Sequence, residues 1–310
     1  MSLVHFRHLL PLLATLALVA CFGGVRRAPP APLPSVAPLA VPVHLKIGLA
    51  LGGGGARGFA HIGVIKMLEA SGIHVDVVAG TSAGSVVGAL YASGMNPFQL
   101  QETAFALDEA KIRDVRLFSG GLVQGQKLQD YVNQLVHHRS IEQLQLPFAA
   151  VATELETGAR TVFVRGNTGQ AVRASSSIPG VFEPVAINGK HYIDGGVVSP
   201  IPVDAARQLG ADFVIAVDIS AQPNGSTPSG LANIVGQSIV IMGRQLAVQE
   251  TARADVVIRP GTAGMGSLDF ARKDQAILQG EKATLAAMPL LRQRLEAMRV
   301  ARQAAHAAGS

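Results

Sequence analysis

Val75-Asp76-Val77-Val78-Ala79-Gly80-Thr81-Ser82-Ala83-Gly84 decides how this chain folds. The first half is a short apolar, β-branched run, the composition of a buried strand. The second half is G-x-S-x-G, and residues 84–93 continue with helical spacing and small side chains on one face. A chain that turns from strand to helix within about three residues must carry strained backbone at the turn. Gly80 and Gly84 remove side chains that would collide with the neighbouring strand and helix. Ser82 is then left with its hydroxyl above the sheet edge, facing the positive end of the following helix. This is the elbow of a nucleophilic serine. A tight turn with Ser82 as a helix N-cap would use the same residues.

Outward from the elbow, short apolar runs alternate with helical periodicity. The pattern predicts strands at 46–51, 75–79, 148–152, 160–164, 191–193, 213–218 and 256–259. It predicts helices at 57–70, 84–93, 231–253 and 275–302, with a helical, loop-rich stretch over 97–139. Several strands are apolar throughout, which requires a sheet covered on both faces. The expected fold class is α/β, a three-layer α/β/α arrangement around a mixed, mostly parallel sheet. Two apolar stretches, 98–107 and 231–242, are expected chiefly as core, with a place beside a substrate groove as the alternative.

Two further constellations carry chemistry. Gly52-Gly53-Gly54-Gly55-Ala56-Arg57-Gly58 follows the first strand and opens the first helix. Consecutive glycines beside a helix N-terminus present bare amides to an anion, which in acyl transfer is an oxyanion hole. Residues 53–58 also match G-x-G-x-x-G of dinucleotide-binding folds, with Asp76 as the acid expected about 20 positions on. Asp76 lies at the beginning of its strand, however, whereas a ribose-binding acid sits at the end. The Walker form fails because Phe59-Ala60 stands where Lys-Ser/Thr is needed. The last constellation is Asp194-Gly195-Gly196, a carboxylate in a tight turn after a short strand.

With 26 Lys and Arg against 21 Asp and Glu, the chain of 310 residues has a formal charge of +5 and no basic cluster, so nucleic acid is not an expected partner. Its single cysteine, Cys21, excludes a disulfide framework and a Cys-based zinc site, and no ligand cluster points to another metal. Residues 1–20 read as a secretory signal: Arg7, then an apolar run over 9–20. At about 1.5 Å per residue that run reaches ~18 Å, short of a bilayer core of about 30 Å. Leu18-Val19-Ala20-Cys21 resembles the lipobox of bacterial lipoproteins, whose cysteine carries diacylglycerol; an ordinary signal with a chance cysteine is the alternative. Residues 21–45 are rich in Pro and Ala and make an extended tether, and the folded domain is expected over 46–310. The expected location is the cell envelope, reached by export and held by a lipid anchor. In a Gram-negative cell this would be the outer membrane, since Phe22 rather than Asp follows Cys21.

GGGGARG, then GTSAG, then Ala174-Ser175-Ser176-Ser177-Ile178-Pro179-Gly180-Val181-Phe182-Glu183-Pro184, then DGG together resemble the patatin-like phospholipase family. The resemblance implies a Ser–Asp dyad, with Ser82 as nucleophile and Asp194 as its base. It implies oxyanion amides from Gly53, Gly54 and Gly55, with Arg57 and Gly58 completing that motif and Gly195 and Gly196 shaping the turn after the base. Arg57 would hold the loop or meet a phosphate. No cofactor is implied. The implied substrates are fatty-acyl esters of membrane lipids. Two other readings remain: a broad esterase or thioesterase, and a lipoprotein that binds a nucleotide or phosphate without hydrolysis. A triad histidine is not expected. His191 would face away from Asp194 in a strand of period two, and His61 is expected to pack.

Overall fold

In the computed structural model, residues 44–108, 123–222, 225, 227 and 229–309 are described. The expected signal, Cys21 and nearly all of the tether lie outside the described residues. The strands are β1 (Ile47–Leu51), β2 (Val77–Thr81), β3 (Phe148–Glu154), β4 (Arg160–Phe163), β5 (Val185–Ile187), β6 (Lys190–Asp194), β7 (Phe213–Val217) and β8 (Val256–Ile258). They form one sheet in the order β5-β6-β3-β2-β1-β7-β8, with β4 also on β3. The run from β3 to β8 is parallel; β4, β6 and β5 join by antiparallel pairing.

The central strands are buried at every position, yet their two faces differ in size. Leu49, Leu51, Phe148, Phe213 and Ile215 point to the face covered by α1 (Ala60–Ala70), α2 (Ala83–Ala92) and α8 (Lys273–Gly309). Ala50, Ala79, Ala149 and Ala216 point to the other face, under α6 (Val203–Gln208) and the C-terminal part of α7 (Leu231–Thr251). The period-2 alternation of strand side chains thus sorts large from small, and helices pack on both faces. This is the three-layer α/β/α fold expected.

The register of β3 brings two distant segments together. Val151 pairs with Thr81 and with Val162, and Ala152 pairs with Asp194 and with Thr161. Because β4 occupies one edge of β3, β2 and β6 share the other. They arrive from opposite directions and end against neighbouring residues of β3.

Differences from expectation are local. The first helix starts as a 3-10 turn over Gly55–Phe59, with α1 beginning only at Ala60. The stretch 97–139 contains α3 (Pro97–Ala106), started by an Asn96/Gln99 capping box, and α4 (Gln126–Leu135). Three short elements, α5 (Thr168–Ser175), β5 and α6, are added to the expected set; each is too brief to show a period. Residues 231–242 are not core. Leu231, Ile234, Val235, Ile239, Ile241 and Met242 are all exposed, and α7 enters the core only at Ala247. Among the described residues no helix is long and apolar enough to cross a membrane.

Candidate active site

Ser82 follows the last residue of β2 and has φ 54° and ψ −126°. Positive φ is uncommon for a residue with a Cβ and persists only where the surroundings enforce it. Here they do. The Ser82 amide donates to Ser175 Oγ at 3.0 Å, and the Ser175 hydroxyl donates to Val151 O at 2.6 Å. Ser82 O accepts from the Ser85 amide at 2.8 Å and the Ser85 hydroxyl at 2.7 Å. The Thr81 hydroxyl donates to Ser199 O at 2.8 Å. A Cβ on Gly84 would lie 2.1 Å from Leu51 O, and one on Gly80 2.4 Å from Gly84 O. The two elbow glycines therefore permit backbone contact, as the sequence predicts. The Ser82 side chain makes no cap bond to α2, so the N-cap alternative does not hold.

Asp194 ends β6 and is equally constrained. Its amide donates to Ser177 O at 2.9 Å, and its carbonyl accepts the Thr153 hydroxyl at 2.9 Å. Its carboxylate accepts the Gly196 amide at 2.7 Å. Gly195 is pressed against β3, where a Cβ would lie 2.1 Å from Val151 O. Burial pushes the Asp194 carboxyl up to about 6; hydrogen bonds from the Ser82 hydroxyl and the Gly196 amide offset only part of that rise. Ser82 and Asp194 line one cleft of about 400 Å³, together with Gly53, Gly54, Gly55 and Gly196.

The glycine loop is narrower as an amide donor than expected. The Gly53 amide is committed to Pro200 O at 2.9 Å, which removes it from the expected oxyanion set. Gly58 lies within the 3-10 turn, where a Cβ would stand 2.6 Å from Ala83 Cβ, so it seats that turn on α2. Gly54 and Gly55 line the cleft, and among the described residues their amides meet no protein acceptor. Gly55 has φ +59°, and a Cβ there would lie 2.2 Å from Ser267 O.

Arg57 is tied to the segments that flank the loop, and it also lines the cleft. It is buried, and its guanidinium donates to Ile219 O at 2.9 Å and Met265 O at 3.1 Å, so both bonds tie the loop to its flanks. Burial pushes this guanidinium below its usual range.

Three supports escaped the sequence reading. His61 lies fully buried beneath the loop, with Nε2 2.8 Å from Gly52 O. A carbonyl can only accept, so Nε2 carries the proton, and burial pushes the imidazole down to about 4. Glu250, near the end of α7, accepts the Ser199 hydroxyl at 2.5 Å and the Ile201 amide at 2.7 Å. It thereby fixes the segment whose Pro200 carbonyl holds Gly53. Ser175 lay inside the quoted Ala174–Pro184 block, but only the fold shows that it braces the elbow.

A second cavity, of about 150 Å³, opens at Ser82 and is almost wholly apolar, with Val87, Leu107, Leu128, Phe182, Leu268 and Phe270 in its wall. In the stretch 98–107, Leu100 and Ala104 are core, Phe98 and Phe105 are exposed, and Leu107 reaches this cavity. The other expected features lie elsewhere. Asp76 accepts the Ile47 amide at 2.7 Å, at the opposite end of the parallel strands from the glycine loop, so the dinucleotide reading loses its acid. His191 is exposed and bonded to Glu156 at 2.6 Å. Among the described residues no group of His, Cys, Asp and Glu could hold a metal ion.

Comparison with known proteins bears on the family and the fold. An uncharacterised NTE family protein of Mycobacterium tuberculosis is 36% identical over 195 residues, covering 62% of this chain and 54% of that protein. Lysophospholipase NTE1 of Pyricularia oryzae is 32% identical over 278 residues, 79% of this chain but 18% of its own length. The chain thus spans about half the length of the mycobacterial relative and under a fifth of the fungal one. Among solved structures, VipD from Legionella pneumophila superposes with a TM-score of 0.55 over 82% of this chain and 68% of that one; at 16% identity the likeness is one of fold. The family described as Patatin-like phospholipase matches residues 49–207, so the chain belongs to the patatin-like phospholipase family.

Proposed function

We propose that this protein is a serine acyl hydrolase that cleaves fatty-acyl esters of membrane lipids. One observation carries the reading. A strained, uncapped serine and a buried carboxylate with a raised pKa share a cleft, and an apolar cavity opens at the same serine. Family membership supports the lipid substrate class.

In the proposed cycle Ser82 Oγ attacks the ester carbonyl as its proton passes to Asp194. The amides of Gly54 and Gly55 take the negative charge on the former carbonyl oxygen. Collapse expels the alcohol, which takes the proton from Asp194 and leaves an acyl-Ser82 ester. Water then attacks, losing a proton to Asp194, and collapse releases the fatty acid and restores the serine hydroxyl. A carboxyl with an ordinary pKa near 4 would be a weak base here; one near 6 is still ionised at neutral pH and takes a proton more readily. The acyl chain would lie in the apolar cavity and the rest of the lipid in the wider cleft.

A fluorophosphonate probe tests this: it should label the parent and leave Ser82→Ala unlabelled. Labelling that survives the substitution, or a parent that never labels, would refute the assignment. We also propose that Cys21 is lipidated and holds the protein at the cell envelope, on the lipobox-like Leu18-Val19-Ala20-Cys21. Fractionation of Cys21→Ser should then lower the share of the protein held in the membrane pellet, and unchanged retention would refute the lipidation.

A further inference from the structure

We propose that the outward face of α7 is the surface on which this protein seats itself on a lipid bilayer, with the mouth of the Ser82 cleft turned to the membrane. This deepens the lipid-ester reading above and rests on it for the purpose of the contact.

The observation is an inverted helix. At 100° per residue, Leu231, Ile234, Val235, Ile239, Ile241 and Met242 fall within roughly 160° of arc, interrupted by Ser238 alone. All six are exposed, Leu231 at 79% and Met242 at 58%. The opposite side of the helix, with Val240, Gly243 and Arg244, lines the cleft that holds Ser82 and Asp194. A soluble helix turns its apolar stripe inward, and this one turns it outward.

Charge and position point to lipid. From Ile219 to Gly243 the sequence has no charged side chain. The first charge, Arg244, is on the cleft side and paired with Asp218 at 3.0 Å. An outward stripe on a segment without charges gives water little to solvate and the headgroup–acyl boundary much to bury. At about 1.5 Å per residue, residues 231–243 reach ~20 Å, too short to span a bilayer and suited to lying in its plane. The stripe is also continuous with the cleft mouth. Ile239 belongs to both, and two other cavity-lining residues, Val197 and Leu268, are exposed at 42% and 54%. A bilayer held by this rim would meet the opening through which a lipid must pass. Since area rather than charge supplies the attraction, binding should need no anionic lipid and should resist salt.

The test uses the full chain with Cys21→Ser, which removes any acyl anchor, against the same chain with Ile234→Gln, Val235→Gln and Met242→Gln. Flotation with neutral phosphatidylcholine vesicles should show at least a tenfold loss of partition in the triple variant, with hydrolysis of a water-soluble short-chain ester retained. Equal partition would overturn the proposal. So would a parent dimer that the triple variant splits while vesicle binding stays unchanged, since α7 would then cover a second copy. A second measurement does not depend on how the triple variant folds. Cys21→Ser with Met242→Cys carries one thiol, and an environment-sensitive dye on it should shift to the blue on adding vesicles. No shift would overturn the proposal. If vesicles bind through α7 but neither the short-chain ester nor the vesicle phosphatidylcholine is cleaved, the proposed function fails and the docking surface stands.

Discussion

Ser82 and α7 border the same cleft, but the chain builds the elbow and the outer face of that helix on opposite terms. Around Ser82 every neighbour is internal. Its amide, its carbonyl and the flanking glycines are all matched by backbone or buried hydroxyls within van der Waals or hydrogen-bond distance. The unusual φ of 54° survives because many contacts agree on it. Among the described residues the outer face of α7 has no such partners, and its apolar residues are exposed. Packing inside the protein accounts for the first wall. For the second, we propose a contact with lipid outside the protein.

The sharpest way to break this contrast is Ser82→Ala. Hydrolysis should fall by roughly 10³-fold or more, as removal of a catalytic nucleophile does in other serine hydrolases. Vesicle partition should not change. If partition fell with activity, the two walls would be one functional unit.

Gly84→Ala probes the internally determined wall. The new Cβ would sit 2.1 Å from Leu51 O, which must move. Unfolding free energy should drop by about 3 kcal/mol or more in chemical denaturation.

Asp194→Asn should separate stability from activity. Below about pH 4 the carboxyl is neutral in both folded and unfolded chains, so its burial carries no ionisation penalty there. Between pH 4 and about 6 the unfolded chain ionises while the folded one keeps its proton, so the folded state loses stability across that window. The loss is complete above it and on the order of 3 kcal/mol. The variant should therefore resist denaturant better than the parent at pH 7.5, with the difference gone by pH 4, while its hydrolysis collapses. In the parent, kcat/KM should fall about tenfold per pH unit below 6 as the base is protonated.

The smallest effect belongs to α7. Ile234→Gln alone should change stability by no more than about 0.5 kcal/mol, because the side chain is already about half exposed. A change of several kcal/mol in thermal or chemical unfolding would mean that this face is covered in the free protein.

Seven of the eight strands, the elbow and the two motif turns were legible in sequence because each is a local matter. Period, a run of apolar residues and glycines at a sharp corner need only a few neighbouring positions to declare themselves. The glycine loop was legible as a donor-rich segment, but not which of its amides remained free. Pro200 takes the Gly53 amide, and Pro200 is positioned by Glu250 through Ser199 and Ile201, all more than 140 residues away in the chain. His61 was read as packing, and its bond to Gly52 O became visible only once α1 lay under the loop.

By itself the sequence determined the α/β alternation, the serine on its sharp turn and the presence of a distant Asp-Gly-Gly. Tertiary structure decided that β2 and β6 end on the same edge of β3, which is why Ser82 and Asp194 meet. It also decided that residues 231–242 lie outside the core. An apolar helix reads the same in sequence whichever way its stripe points, because the direction depends on which helices already cover the sheet.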